Sequence, residues 1–129
     1  MNGRLALDTN ILIALFGGDE SVARRFAQSD ELFVPSIVLG ELYYGAYNSV
    51  RVRQNVARIE TLKRVTTVLG CDGATAAQYG QTRQRLRRKG TPLPENDIWI
   101  AAVALQHELT LVSRDAHFTA VEGLSLEVW

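Results

Sequence analysis

The sequence predicts an α/β fold of three layers, α/β/α, around a mostly parallel central sheet. Two observations carry this. Short apolar, β-branched runs alternate with longer segments of helical periodicity, the pattern of strand–helix–strand units. Acids also stand just after the first and fourth of those runs, where a parallel sheet opens its functional edge. The 129 residues are the length of one domain, read here as 1–129. A chain of this length buries roughly two-thirds of its unfolded surface, so one core holds it without staples.

The predicted strands are short and sharply ended. Arg4–Leu7 stops at Asp8, Glu31–Val34 stops at Pro35, and Thr66–Leu69 is β-branched and stops at Gly70. Thr110–Ser113 ends near Asp115, and Leu124–Val128 closes the series. Between them, Thr9–Phe16 and Ser21–Ala27 read as two helices separated by Gly17-Gly18. Ser36 reads as the N-cap of a helix through Tyr47. A basic amphipathic stretch covers about Val52 to Arg64. Asp72 caps a helix from about Ala74 to Lys89, which Gly90 stops. After the stiff Thr91-Pro92-Leu93-Pro94 loop, Glu95–Gln106 forms the last helix.

Composition excludes several classes. Apolar residues are 47% and charged residues 22%, a balance that excludes a mainly disordered chain. The lone Cys71 excludes an internal disulfide framework and a cysteine-based metal site. The longest apolar run, Ile98–Leu105, is far too short to span a bilayer. The N-terminal apolar stretch stops at Asp8, too early for a leader peptide, so a cytoplasmic location and no membrane partner are expected. Net charge is zero but unevenly spread. Residues 1–45 sum to −3, residues 46–94 to +8 and residues 95–129 to −5. Twelve of the fourteen cations are Arg, whose planar fork matches phosphate.

Four acids then stand out. Asp8 and Asp115 follow strands that, if parallel, put both at one sheet edge. Glu41 falls on the apolar face of its helix, i+4 from Ile37 and i+3 from Val38, where an unpaired carboxylate is costly. Asp97 opens a helix whose inward face is Ile98, Ala101, Ala102 and Leu105. Each has a local explanation: a helix cap for Asp8, a helix-dipole partner for Asp97, a turn for Asp115 and a solvent-reaching side chain for Glu41. One shared explanation, a pocket for Mg2+ or Mn2+, covers all four, because these hard cations prefer carboxylate oxygens. His107 and His117 lie outside the proposed cluster, which disfavours a zinc hydrolase.

The residues resemble a known family at this point. Leu7-Asp8-Thr9-Asn10-Ile11-Leu12, Ser36-x-x-x-Gly40-Glu41-Leu42, Pro94-Glu95-Asn96-Asp97-Ile98-Trp99-Ile100-Ala101-Ala102 and Leu111-Val112-Ser113-Arg114-Asp115-x-x-Phe118 are similar, in order, to the four motifs of PIN-domain ribonucleases. The chain looks most like the VapC-type toxins of toxin–antitoxin pairs. The resemblance implies a PIN-like fold and an Mg2+- or Mn2+-dependent endoribonuclease in which Asp8, Glu41, Asp97 and Asp115 hold the cation. Asp8 and Asp97 are the expected direct ligands, and Thr9, Asn10, Asn96 and Ser113 would orient them. It further implies in-line attack of activated water, 5′-phosphate and 3′-hydroxyl products, transfer or ribosomal RNA as substrate, a homodimer, and a cognate antitoxin. The antitoxin would lie across the first helices and the Ser36 helix and present an Arg to the acids.

The basic middle gains a role on this reading. Arg83, Arg85, Arg87, Arg88 and Lys89 end one helix with no acid among them and are candidate RNA contacts, although Arg85 and Arg87 lie about 200° apart and cannot face one site. Tyr43 and Tyr47 share a helix face and read as core or interface. Other readings fare worse. A phosphorylation-switch module needs an acidic pair after the first strand and a late lysine, and neither is present. A phosphatase using Asp8 as nucleophile wants an aspartate where Asn10 stands. A nuclease for structured DNA fits the acids but not the small size. The remaining alternative is a non-catalytic PIN-fold module that binds RNA or protein.

Overall fold

The computed structural model describes residues 3–129. Its sheet has five strands: β1 (Leu5–Leu7), β2 (Leu32–Pro35), β3 (Thr67–Leu69), β4 (Thr110–Val112) and β5 (Ser125–Glu127). All neighbours pair in parallel, in the order β3-β2-β1-β4-β5. Six helices cover the sheet: α1 (Thr9–Phe16), α2 (Glu20–Gln28), α3 (Ser36–Tyr47), α4 (Val52–Val65), α5 (Gly73–Lys89) and α6 (Glu95–Gln106). The expected three-layer α/β/α architecture is therefore the observed one. The three inner strands are buried almost throughout, which is why they read as short apolar runs rather than alternating ones. The edge strands β3 and β5 are partly exposed.

The topology fixes where a site belongs. From β1 the chain builds outward through β2 and β3, then returns to the other side of β1 for β4 and β5. The strand order reverses between β1 and β4, and a parallel sheet opens a crevice at the carboxyl ends of such a pair. Leu7 pairs with Val112 at the end of both strands, so the residues that follow, Asp8 and Ser113, emerge side by side.

Local chemistry ends the elements where the sequence indicates, with three corrections. Ser36 is the first residue of α3 rather than its cap; Pro35 takes the cap position, with no side-chain cap bond. A proline there is tolerated because the first helical N–H groups lack intrahelical partners in any case. In α2, Asp19 accepts from the Val22 N–H and starts the helix one residue earlier than expected. The buried face of α3 is Val38, Leu39, Leu42 and Ala46, rather than one centred on Ile37 and including Gly45 as the periodicity implies, and Glu41 sits half-buried at its rim. Gly90 stops α5 as expected, at φ +73°, the left-handed conformation that favours glycine.

Asp72 does more than cap α5. Its carboxylate accepts from the Thr75 N–H at 3.1 Å and from the Gln106 Nε2 at 3.0 Å, tying α5 to the end of α6. Asp72→Ala is expected to cost about 1–2 kcal/mol of stability, the upper part of the range for N-cap removal, measured by urea unfolding with an unchanged m-value. A loss within about 0.3 kcal/mol would mean that water replaces the clip at no cost.

Candidate active site

Four carboxylates meet where β1 and β4 end. Asp8 caps α1 and is only 5% exposed. Its Oδ1 accepts from the Thr9 N–H at 2.8 Å, and its Oδ2 accepts from the Ser113 hydroxyl at 2.7 Å. Ser113 in turn accepts from the Asp115 N–H at 3.0 Å and from Asn10 Nδ2 at 3.4 Å. Asn10 Oδ1 accepts from the Arg114 N–H at 3.2 Å. The loops after β1 and β4 are thus laced together by polar side chains that also orient the acids. Glu41 reaches the same edge from α3, held by the Thr9 hydroxyl and, at 3.4 Å, by Asn96 Nδ2. Asp97 comes from the first turn of α6.

The electrostatics show that these four share one space. Burial raises the Asp8 pKa, the Ser113 and Thr9 bonds lower it, and the charges of Glu41 and Asp115 raise it again. Asp97 is pushed up to about 6, chiefly by burial, then by the negative charges of Asp8, Asp115 and Glu41. All four acids expected at this edge are therefore brought together, and Thr9, Asn10, Asn96 and Ser113 bond within the same network.

Two features depart from expectation. His117 is not outside the cluster: its Nδ1 lies 2.8 Å from Asp115 Oδ1, and its backbone N–H donates to the same oxygen at 2.9 Å. Asp115 caps a 3-10 helix, Ala116–Ala120, and that turn brings the imidazole back onto it. Arg114 also does unforeseen work. It pairs with Asp19 at 2.9 Å and donates to the Trp129 carbonyl at 2.9 Å, anchoring the loop that carries Asp115.

The donor set suits a hard divalent cation: it offers four carboxylates, of which Asp8 and Asp97 are raised in pKa by burial first and then by neighbouring negative charge. Among the described residues, no group of three or more acidic, His or Cys side chains stands ready to hold a metal ion. Asp8, Glu41 and Asp115 are instead turned onto Thr9, Ser113, Asn96 and His117, so a cation would compete with these donors.

The raised pKa values set a pH dependence. A carboxyl that titrates near 6 when folded and near 3.8 when unfolded favours the folded state in its protonated form. Its stabilisation is complete below 3.8 and is lost as pH rises through about 6. In EDTA, the melting temperature is expected to fall across this window more steeply for the parent than for Asp97→Asn. Equal slopes would mean that neither burial nor its acidic neighbours raise the Asp97 carboxyl.

The five cations ending α5 are all exposed. Arg83 and Arg87, one turn apart, line a groove of about 590 Å3 with Leu93, Glu95 and Ile98. Lys89 donates to the Ala120 carbonyl at 2.7 Å. Of the aromatics, Tyr43 and Tyr47 stack at 6.1 Å, as their shared face implies, and Trp99 stacks on Tyr79 at 4.0 Å, joining α6 to α5.

A parallel sheet with four acids at its reversal point defines the class, and comparison with known proteins gives it a name. The PIN domain family matches residues 5–124. Ribonuclease VapC2 of Haemophilus influenzae is 37% identical over 126 residues, 95% of this chain and 96% of that one. The tRNA(fMet)-specific endonuclease VapC of Shigella flexneri is 36% identical over 129 residues, 98% of each. Among solved structures, the DNA-bound VapBC of Salmonella typhimurium superimposes with a TM-score of 0.91 at 32% identity, covering 100% of this chain and 99% of that one. The chain belongs to the PIN-domain family and, within it, to the VapC ribonucleases.

Proposed function

We propose that this protein is a divalent-metal-dependent endoribonuclease and the toxin half of a toxin–antitoxin pair. The observation that supports it best is the meeting of Asp8, Glu41, Asp97 and Asp115 at one sheet edge, with Asp97 pushed up to about 6, in a chain so similar to named ribonucleases. Asp8 and Asp97 would be direct ligands of Mg2+ or Mn2+, with Glu41 and Asp115 completing the set. The bound cation would lower the pKa of a water and neutralise charge developing on a phosphoryl oxygen. The chain's own groups do the rest. Thr9 and Ser113 hold Asp8, Thr9 and Asn96 hold Glu41, and Asn10 braces Ser113, which limits the freedom of these side chains at the reacting edge. Arg83 and Arg87, which share one groove, supply phosphate contacts that position a strand without reading its sequence, and Arg85, Arg88 and Lys89 add to the positive field around the end of α5.

A second groove supports an antitoxin partner. Ile13, Phe16, Leu42, Gly45, Ala46 and Ile59 contribute to a largely apolar groove of about 270 Å3 that ends at Glu41, and Ile13 is 59% exposed. A partner segment burying that surface would reach the acids, where a cationic side chain would neutralise them and exclude RNA. The related structures are VapB–VapC complexes, and a homodimer and a transfer RNA substrate belong to the same proposal.

The test is incubation of the purified protein with end-labelled total cellular RNA in Mg2+, Mn2+ or EDTA. Discrete fragments in metal and none in EDTA are expected. Cleavage undiminished by EDTA would overturn the metal-dependent mechanism.

A further inference from the structure

We propose that Tyr44 is the stacking platform for a nucleobase flanking the scissile phosphate; this rests on the ribonuclease reading above. Glu41 is a wall shared by two grooves of different chemistry. On one side lies the apolar groove that ends at Ile13 and Phe16. On the other, Ser36, Ile37, Gly40, Tyr44 and Asn96 line an open groove of about 510 Å3, within the roughly 300–1,000 Å3 of small-ligand sites. Ser36, Gly40 and Tyr44 recur every four residues along one face of α3, and Asn96 faces them from the start of α6.

Tyr44 is 72% exposed. The other three tyrosines are engaged: Tyr43 and Tyr47 with each other, and Tyr79 with Trp99. Among the described residues, the Tyr44 ring has no stacking or cationic partner. A Cβ added to Gly40, one turn before it, would meet nothing within 4 Å, so the space beside the ring is open. Asn96 Nδ2 is spent on Glu41, and its carbonyl oxygen has no partner among the described residues. The groove therefore offers a free aromatic face, a hydrogen-bond acceptor at its rim and an acid of the reacting edge in its wall. A nucleobase meets all three, because it has a π-face to stack and N–H groups at its edge. A protein segment is served better by the groove across Glu41, whose lining is apolar apart from Glu41, Asn55 and Arg58. Stacking tolerates any base, so Tyr44 would strengthen binding without dictating sequence.

The test is binding of a short fluorescein-labelled single-stranded RNA of mixed sequence, in Mg2+, to Asp97→Asn protein carrying Tyr44 or a substitution there. Tyr44→Ala is expected to weaken binding about tenfold, the lower part of the range for losing one base–aromatic stack. Tyr44→Phe, which keeps the ring, should stay within about twofold. On the otherwise unaltered protein, Tyr44→Ala should raise KM with little change in kcat and leave the sedimentation coefficient unchanged. The inference is overturned if Tyr44→Ala binds as tightly as Tyr44, if Tyr44→Phe loses as much as Tyr44→Ala, or if Tyr44→Ala splits a dimer, which would assign the ring to a second copy of the chain. No RNA binding by Asp97→Asn protein with Tyr44 intact would withdraw the ribonuclease reading itself, and this inference with it.

Discussion

Asp97→Asn is expected to reduce metal-dependent RNA cleavage at least about a hundredfold while leaving the fold intact. The substitution keeps the side-chain volume and removes the charge. Asp97 opens α6 from a half-buried position, and no hydrogen bond from its side chain ties the α6 turn together among the described residues, so its loss costs little structure. Its carboxyl is pushed up to about 6, by burial first and then by the charges of the other three, and a bound cation would relieve that cost. Loss of a directly ligating carboxylate should exceed the roughly 10–100-fold effects seen when only the groups supporting metal ligands are removed. Removing a repelled charge also has a sign of its own. Without metal at neutral pH, the variant should melt at or above the temperature of the parent. Parental cleavage by a folded Asp97→Asn protein would take Asp97 out of the mechanism.

Mn2+ is expected to stabilise the protein. A ligand that binds only the folded state at a hundred times its Kd contributes about 2.7 kcal/mol, several degrees of melting temperature for a domain of this size. The effect should vanish when Asp8, Asp97 and Asp115 become Asn and Glu41 becomes Gln, because no carboxylate then remains at the edge. That variant should itself fold, since the substitution removes charges that are costly to bury and that repel one another at Asp8 and Asp97. A rise that persisted in it would mean that the ion binds elsewhere, for example at exposed acids such as Glu20 or Asp30.

Much of this was legible in the sequence, and the reason is physical. The inner strands β1, β2 and β4 are buried on both faces, so their apolar runs stand out against polar flanks and end at Asp8, Pro35 and Ser113. Glu41 was legible as a carboxylate on an otherwise apolar face. Asp72 and Gly90 were legible as caps because their chemistry is local. What escaped depends on packing or on turns too short to carry a period. The 3-10 helix Ala116–Ala120 spans five residues, less than the repeat needed to detect it, and with it went the contact of His117 with Asp115. The role of Arg114 requires Asp19 and Trp129, which lie 95 and 15 residues away.

Whether Asp8, Glu41, Asp97 and Asp115 act as one cation site is tested most directly by calorimetric titration of the parent with Mn2+ near pH 6, in two buffers of different ionisation enthalpy. A cation entering a site whose Asp97 is partly protonated must displace protons. Binding is expected with proton release that shrinks as pH rises well above 6, and with no such release for Asp97→Asn. Binding whose heat is the same in both buffers at pH 6, or is unchanged in Asp97→Asn, would contradict a shared site.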